Sequence, residues 1–308
     1  MIIQTGMRTD IPAFYSKWFV NRLTEGYVLV RNPYNPNSVT RFELNPEVVD
    51  LIAFCTKNPK PMIDKMSYLK EYGQYCFVTI TPYEKEIEPN VPPKEQVMES
   101  FKLLSDMIGV NSVGWRYDPI YINHKYTVDR HISDFECMAK TLSGYTKTCV
   151  ISFIKIYKKV EKNFPEYREV SQSERFEIGK AFAAIGRKYG ITVKACANGT
   201  ELAKFGVDCR GCMTIDTYET ALNERLVLPV RKSQRTECVC FLGTDIGVYD
   251  SCGHMCRYCY ANSNRDNVRR NMNMHYPDSP FLIGWETSDD IIHKAPQISW
   301  IDRQLMLF

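Results

Sequence analysis

Val49-Asp50-Leu51-Ile52-Ala53-Phe54 and Tyr75-Cys76-Phe77-Val78-Thr79-Ile80 decide the fold class. Neither run alternates apolar and polar residues, as a strand with one wet face would. Runs apolar almost throughout suit strands buried on both faces of a parallel sheet. Further strand candidates lie at about 1–6, 27–32, 111–116, 148–154 and 191–197, and helical patterns fall between them at about 12–25, 94–108, 132–143 and 172–189. In the last of these, Phe176, Ile178, Phe182, Ile185 and Tyr189 make a broad apolar face. Strand and helix alternating in this way predict an α/β fold with a parallel sheet. A TIM-like (β/α) barrel body, complete or partial, over 1–199 is the first expectation, and an open doubly wound sheet the second.

A recurring device punctuates these runs: Thr9-Asp10-Ile11-Pro12, Asn32-Pro33, Asn58-Pro59, Thr81-Pro82 and Asp118-Pro119. Proline disfavours helix for the residue before it and tolerates the first helical turn, while Asp, Asn and Thr cap helices. Each unit should therefore close a strand. Residues 200–265 are cysteine-dense and weakly periodic, which predicts a metal-bearing segment across the barrel mouth. Residues 266–308 read as an irregular tail.

The 39 basic and 36 acidic residues leave a net charge of +3, which gives no support for a strongly electrostatic partner such as duplex DNA. No stretch reaches the roughly 20 apolar residues of a membrane span. The first residues read as a strand and not as a signal peptide, so a cytoplasmic location is expected, with no membrane partner. In a reducing compartment, clustered members of the 12 cysteines point to metal.

The strongest chemical signal is Ser251-Cys252-Gly253-His254-Met255-Cys256-Arg257-Tyr258-Cys259-Tyr260-Ala261-Asn262. Thiolates spaced C-x3-C-x2-C can take three corners of one 4Fe–4S cluster and leave one iron open. Tyr258 would shield that cluster from water. The competing reading is a zinc knot of Cys252, Cys256, Cys259 and a fourth ligand such as His254. A second group, Cys196, Cys209, Cys212, Cys238 and Cys240, contains four ligands for a second site. Cys196, Cys212, Cys238 and Cys240 are the expected set, with Cys209 as alternate, for a second iron–sulfur cluster or zinc. Cys55, Cys76, Cys137 and Cys149 read as core.

Ligands of parallel α/β folds bind at the carboxyl ends of strands. Arg8, Thr9, Asp10, Lys57, Asn58, Thr81, Arg116, Asp118 and Asn198 stand at such ends. Arg8, Lys57 and Arg116 suit a carboxylate or phosphate; Asp10 and Asp118 suit an amine or acid–base work. Arg–Asp pairs that merely cap the barrel end are the plainer alternative. Arg231, Lys232, Arg235, Arg257, Arg265, Arg269 and Arg270 make the last third locally basic, a solvated face or a nucleic-acid contact. His124, His131, His275 and His293 show no ligand spacing.

The spaced cysteines, with an aromatic before the third, resemble the fingerprint of radical-S-adenosylmethionine enzymes. Arg8-Thr9-Asp10-Ile11-Pro12, Arg31-Asn32-Pro33, Thr56-Lys57-Asn58-Pro59, Thr79-Ile80-Thr81-Pro82-Tyr83, Arg116-Tyr117-Asp118-Pro119, Ile151-Ser152-Phe153, Gln234-Arg235, Asp245-Ile246-Gly247 and Cys252 to Asn262 together resemble a bacterial domain-of-unknown-function family, number eighteen forty-eight. The resemblance implies a radical-S-adenosylmethionine-like barrel, loosely akin to spore photoproduct lyase. Such an enzyme would generate a 5′-deoxyadenosyl radical for hydrogen abstraction from an unknown substrate, with a reductant such as flavodoxin or ferredoxin as partner. Arg8, Asp10, Lys57, Arg116 and Asp118 are then the catalytic candidates, and Asn58, Thr81 and Tyr258 the cofactor contacts. The alternative function is a metal-stabilised nucleic-acid-binding or repair-associated protein. Most radical-S-adenosylmethionine enzymes carry their cysteines after the first strand, and commonly a Gly-Gly-Glu segment. Here the cysteines come about 240 residues later and that segment is absent. The chain end must then fold back so that the Cys252 loop faces Arg8, Asp10, Lys57 and Arg116.

Overall fold

The computed structural model describes residues 1–155, 158–196, 200–228, 240–241 and 243–302. The strands are β1 (Ile2–Gln4), β2 (Tyr27–Asn32), β3 (Asn35–Glu43), β4 (Leu51–Thr56), β5 (Gly73–Thr79), β6 (Val113–Ile120), β7 (Thr148–Phe153), β8 (Thr192–Ala195), β9 (Thr244–Asp245) and β10 (Ile291–Lys294). The helices are α1 (Ile11–Phe14), α2 (Ser16–Glu25), α3 (Lys60–Ile63), α4 (Lys94–Ile108), α5 (Val128–Leu142), α6 (Lys158–Asn163), α7 (Gln172–Lys188), α8 (Ile215–Leu222) and α9 (Arg265–Asn273). None of them is long and apolar enough to cross a membrane.

Seven strands form one parallel sheet in the order β8-β7-β6-β5-β4-β1-β9. Among the described residues β8 and β9 are its two edges, so the sheet does not close, and the expectation of a complete barrel is corrected to an open α/β sheet. A doubly wound sheet would reverse direction at a middle strand; this one advances in one direction from β1 to β8. Ile52, Phe54, Val78, Trp115 and Ile151 pack under the helices, where Phe135 stacks between Trp115 and Phe182. On the other face Ile2, Leu51, Ala53, Phe77 and Val150 are covered by Met213, Tyr218 and Phe241. Both faces are buried, which is why the strands read as apolar runs.

Other expectations change in detail. Residues 27–32 pair antiparallel with β3, in a separate sheet ordered β10-β3-β2, and stand outside the parallel set. The helix read at 12–25 breaks at Tyr15 into α1 and α2; Asp10 caps α1 through Ala13 N–H at 3.0 Å. Asp118-Pro119 lies inside β6 and does not end it. The segment after residue 200 covers a face of the sheet as well as its carboxyl end. The tail is not irregular throughout, since α9 and β10 lie in it. Helix α9 escapes an apolar-period reading because only Val268 of its nine residues is buried. Cys76 and Cys149 are core, whereas Cys137 lies exposed on the outer face of α5.

Gly6 marks the close approach of β1 and β4. A Cβ there would stand 2.1 Å from the Cys55 carbonyl oxygen, so only glycine fits.

His131 is fully buried between Tyr117 Oη at Nδ1 and the Tyr121 carbonyl at Nε2, each 2.8 Å away. The carbonyl can only accept, so Nε2 carries the proton and Nδ1 accepts from Tyr117. Burial lowers the pKa to about 4. The folded state therefore holds the neutral ring, and its advantage is present above the unfolded pKa near 6.5. It is lost as pH falls from there toward 4, by about 3 kcal/mol at the limit. Urea midpoints across that range should show this loss in the wild type and a flatter profile in His131→Gln. Parallel profiles would contradict it.

Candidate metal and active site

The carboxyl end of the sheet carries the 249–262 loop, which follows β9. Asp245, the last residue of β9, accepts from Met7 N–H at 2.8 Å and Arg8 Nε at 3.1 Å, which ties β9 to the end of β1. The loop is then held from several sides. Tyr15 Oη donates to the Ser251 carbonyl at 2.5 Å, Asn90 Nδ2 to Gly253 at 2.7 Å, and Asn262 Nδ2 to Cys252 at 2.8 Å. Arg257 N–H donates to Ile87 at 3.0 Å. Met255 sits at φ 58°, a conformation rare outside glycine, and allows the tight turn between Cys252 and Cys256.

Cys252, Cys256 and Cys259 form one electrostatic group. Burial pushes the thiols of Cys252 and Cys256 well above their usual range, and the charge of the neighbouring cysteines pushes further. Asp10 raises Cys252, while Lys57 pulls Cys256 down. A bound cation would invert this balance and hold the thiolates. Among the described residues no group of three or more His, Cys, Asp or Glu is placed to hold an ion as the side chains stand, so metal binding at any cysteine group here requires the thiols to rearrange.

The ends of β1, β4 and β5 meet this loop. Asp10 Oδ2 accepts from Lys57 N–H at 2.8 Å and lies 2.9 Å from His254 Nε2. Lys57 Nζ is 2.9 Å from Glu88 Oε1. The same oxygen accepts from Thr81 Oγ1 at 2.7 Å and from Tyr258 Oη. Burial disfavours the Lys57 ammonium, but the charges of Glu88 and Cys256 outweigh it and raise its pKa. Arg116 pairs with Asp118 at 2.5 Å, and Ser152 donates to the other Asp118 oxygen. Tyr260 Oη reaches the Met7 carbonyl at 2.6 Å. The residue itself is 42 % exposed, so its ring lies at the rim of the loop. At Asn58 the backbone N–H donates to Thr56 Oγ1 at 2.9 Å. Two buried oxygens, Thr9 Oγ1 and Asn262 Oδ1, have no hydrogen-bond partner among the described residues.

A second sulfur group lies deeper. Cys212 Sγ is 3.3 Å from both Cys196 Sγ and Cys240 Sγ. Cys209 is not among them; its thiol turns to the Val207 carbonyl at 3.6 Å. Cys238 and Asn198 lie outside the described residues, as do Arg231, Lys232 and Arg235. Arg257 is engaged by Glu166 in a two-point ion pair.

Glu88, Asp245 and Ser152 were not among the sequence candidates. Glu88 ends the run Glu84-Lys85-Glu86-Ile87-Glu88, which reads as a solvated stretch; its distance from β5 hides that it folds back to Thr81. A cleft of about 240 Å³ beside Asn111, Lys147 and Thr192 lies at the opposite, amino-terminal end of the strands. In parallel α/β folds that end serves stability, and it takes no part in this site.

A family model described as a domain of unknown function (DUF1848) matches residues 2–261. No curated protein matches the chain.

Proposed function

The chain belongs to the DUF1848 family of domains of unknown function, and from that premise we propose that it is an iron–sulfur enzyme of radical-S-adenosylmethionine type. The observation that carries this reading is the position of β9. It is late in the chain yet pairs in parallel with β1 at the sheet edge, and the cysteine loop follows it directly. Read from that edge, the sheet runs β9-β1-β4-β5-β6-β7-β8. The cysteine-bearing strand is then first in space although last in sequence, the order of a partial barrel whose chain has been rejoined at a different point. This accounts for cysteines that do not follow the first strand of the sequence.

The donor chemistry suits the group, although among the described residues the thiols do not stand as a preformed cage. The loop supplies three thiols and no fourth, the donor set that leaves one iron open. The unpartnered oxygens of Thr9 and Asn262 supply polar contacts beside it. Cys252, Cys256 and Cys259 would hold the cluster, whose reduced form supplies the electron that cleaves the sulfonium of S-adenosylmethionine. A flavodoxin- or ferredoxin-type protein would be the reductant.

The chain's own groups do the rest. Tyr258, buried and tied to Glu88, keeps water from the loop. The Asp10–His254 contact can hold or move a proton at His254 Nε2. Lys57 keeps positive charge beside Cys256. Arg116 and Asp118 face the interior as the substrate-orienting pair, with Arg8 held at the rim by Asp245. Anaerobic protein reconstituted with iron and sulfide, then given dithionite and S-adenosylmethionine, should release 5′-deoxyadenosine and methionine. Full cluster loading with no cleavage would refute the reading.

A further inference from the structure

The two edges of the open sheet meet at sulfur. Cys196 directly follows β8 at one edge, and Cys240 stands just ahead of β9 at the other. Cys212, on the segment leading into α8, lies between them at 3.3 Å from each sulfur. Two backbone N–H groups aim at the Cys240 sulfur, from Cys212 at 3.2 Å and Met213 at 3.4 Å. Arg116 Nη1 stands 3.9 Å from the Cys212 sulfur.

The geometry points to a second metal site, in which Cys196, Cys212 and Cys240 hold one thiophilic divalent cation, zinc above all, and so staple the β8 edge to the β9 edge. Backbone N–H donors and a nearby guanidinium are the outer partners that stabilise metal-bound thiolates. The spacing selects one ion. Zinc–sulfur bonds of about 2.3 Å in a tetrahedron put the sulfurs about 3.8 Å apart, so the Cys212–Cys196 and Cys212–Cys240 separations of 3.3 Å need open by only about half an ångström. A cluster would put each thiolate on its own iron and spread them further. A disulfide, with sulfurs about 2.05 Å apart, would join two of the three and strand the third. Coordination would thus close a barrel that hydrogen bonds leave open, and fix Arg116 from the side away from Asp118. None of these residues belongs to the 252–259 loop, so the inference stands apart from the radical reading.

The test uses the full chain carrying Cys252→Ala, Cys256→Ala and Cys259→Ala, purified anaerobically. It should retain about one zinc per chain and no acid-labile sulfide, and adding Cys212→Ser should remove that zinc. Iron with sulfide in the triple variant would instead assign a second cluster; zinc surviving Cys212→Ser would place it elsewhere. Either overturns the proposal. Should the variants misfold, zinc-edge X-ray absorption of the wild type decides: at least three sulfurs at about 2.3 Å are expected. A nitrogen–oxygen shell, or no zinc, would contradict it.

Discussion

Glu88→Ala should lower stability by about 3–5 kcal/mol, the cost of removing one partner from a buried ion pair. Glu88 is 4 % exposed, and a single oxygen serves Lys57, Thr81 and Tyr258. Without the carboxylate, the Lys57 ammonium loses its ion-pair partner, and both the Thr81 and Tyr258 hydroxyls lose their acceptor. Glu88→Gln keeps the shape and an acceptor but not the charge, and should fall between wild type and Glu88→Ala. Chemical denaturation of the three proteins measures this. A loss within about 0.5 kcal/mol for Glu88→Ala, the range of an ordinary surface change, would show that the network is not holding the loop. Because Tyr258 also flanks Cys256 and Cys259, the same variant should expose the cysteine loop to water.

The parts of this site differ in how far the amino-acid order reveals them. Strands β4 and β5 are legible because burial on both faces makes them apolar runs. Asp10, Lys57 and Thr81 are legible because a strand end followed by proline is a local pattern. Strand β9 is not: Thr244-Asp245 is two residues long and becomes a strand only by pairing with β1, some 240 residues away in the chain. The openness of the sheet follows from tertiary pairing alone, so periodicity could not separate a closed barrel from this arrangement. Nor could spacing decide between Cys209 and Cys212. Both lie in one short segment; only the fold turns Cys212 toward Cys196 and Cys240 and Cys209 toward Val207. Arg8, expected to meet a ligand, is drawn to Asp245 by the same β1–β9 pairing. His254, weighed as a zinc ligand, instead bonds Asp10.

The largest chemical effect belongs to Cys256→Ala. A cluster held by three thiolates cannot spare one, and Cys256 also faces Lys57, whose charge favours its thiolate. Iron and acid-labile sulfide, counted in wild type and Cys256→Ala purified side by side without oxygen, test the central claim most directly. The wild type should be brown, with about four iron and four sulfide per chain, and Cys256→Ala should be pale and nearly free of both. A colourless wild type that carries zinc alone, or a variant that keeps its iron and colour, would contradict the assignment of Cys252, Cys256 and Cys259 as cluster ligands.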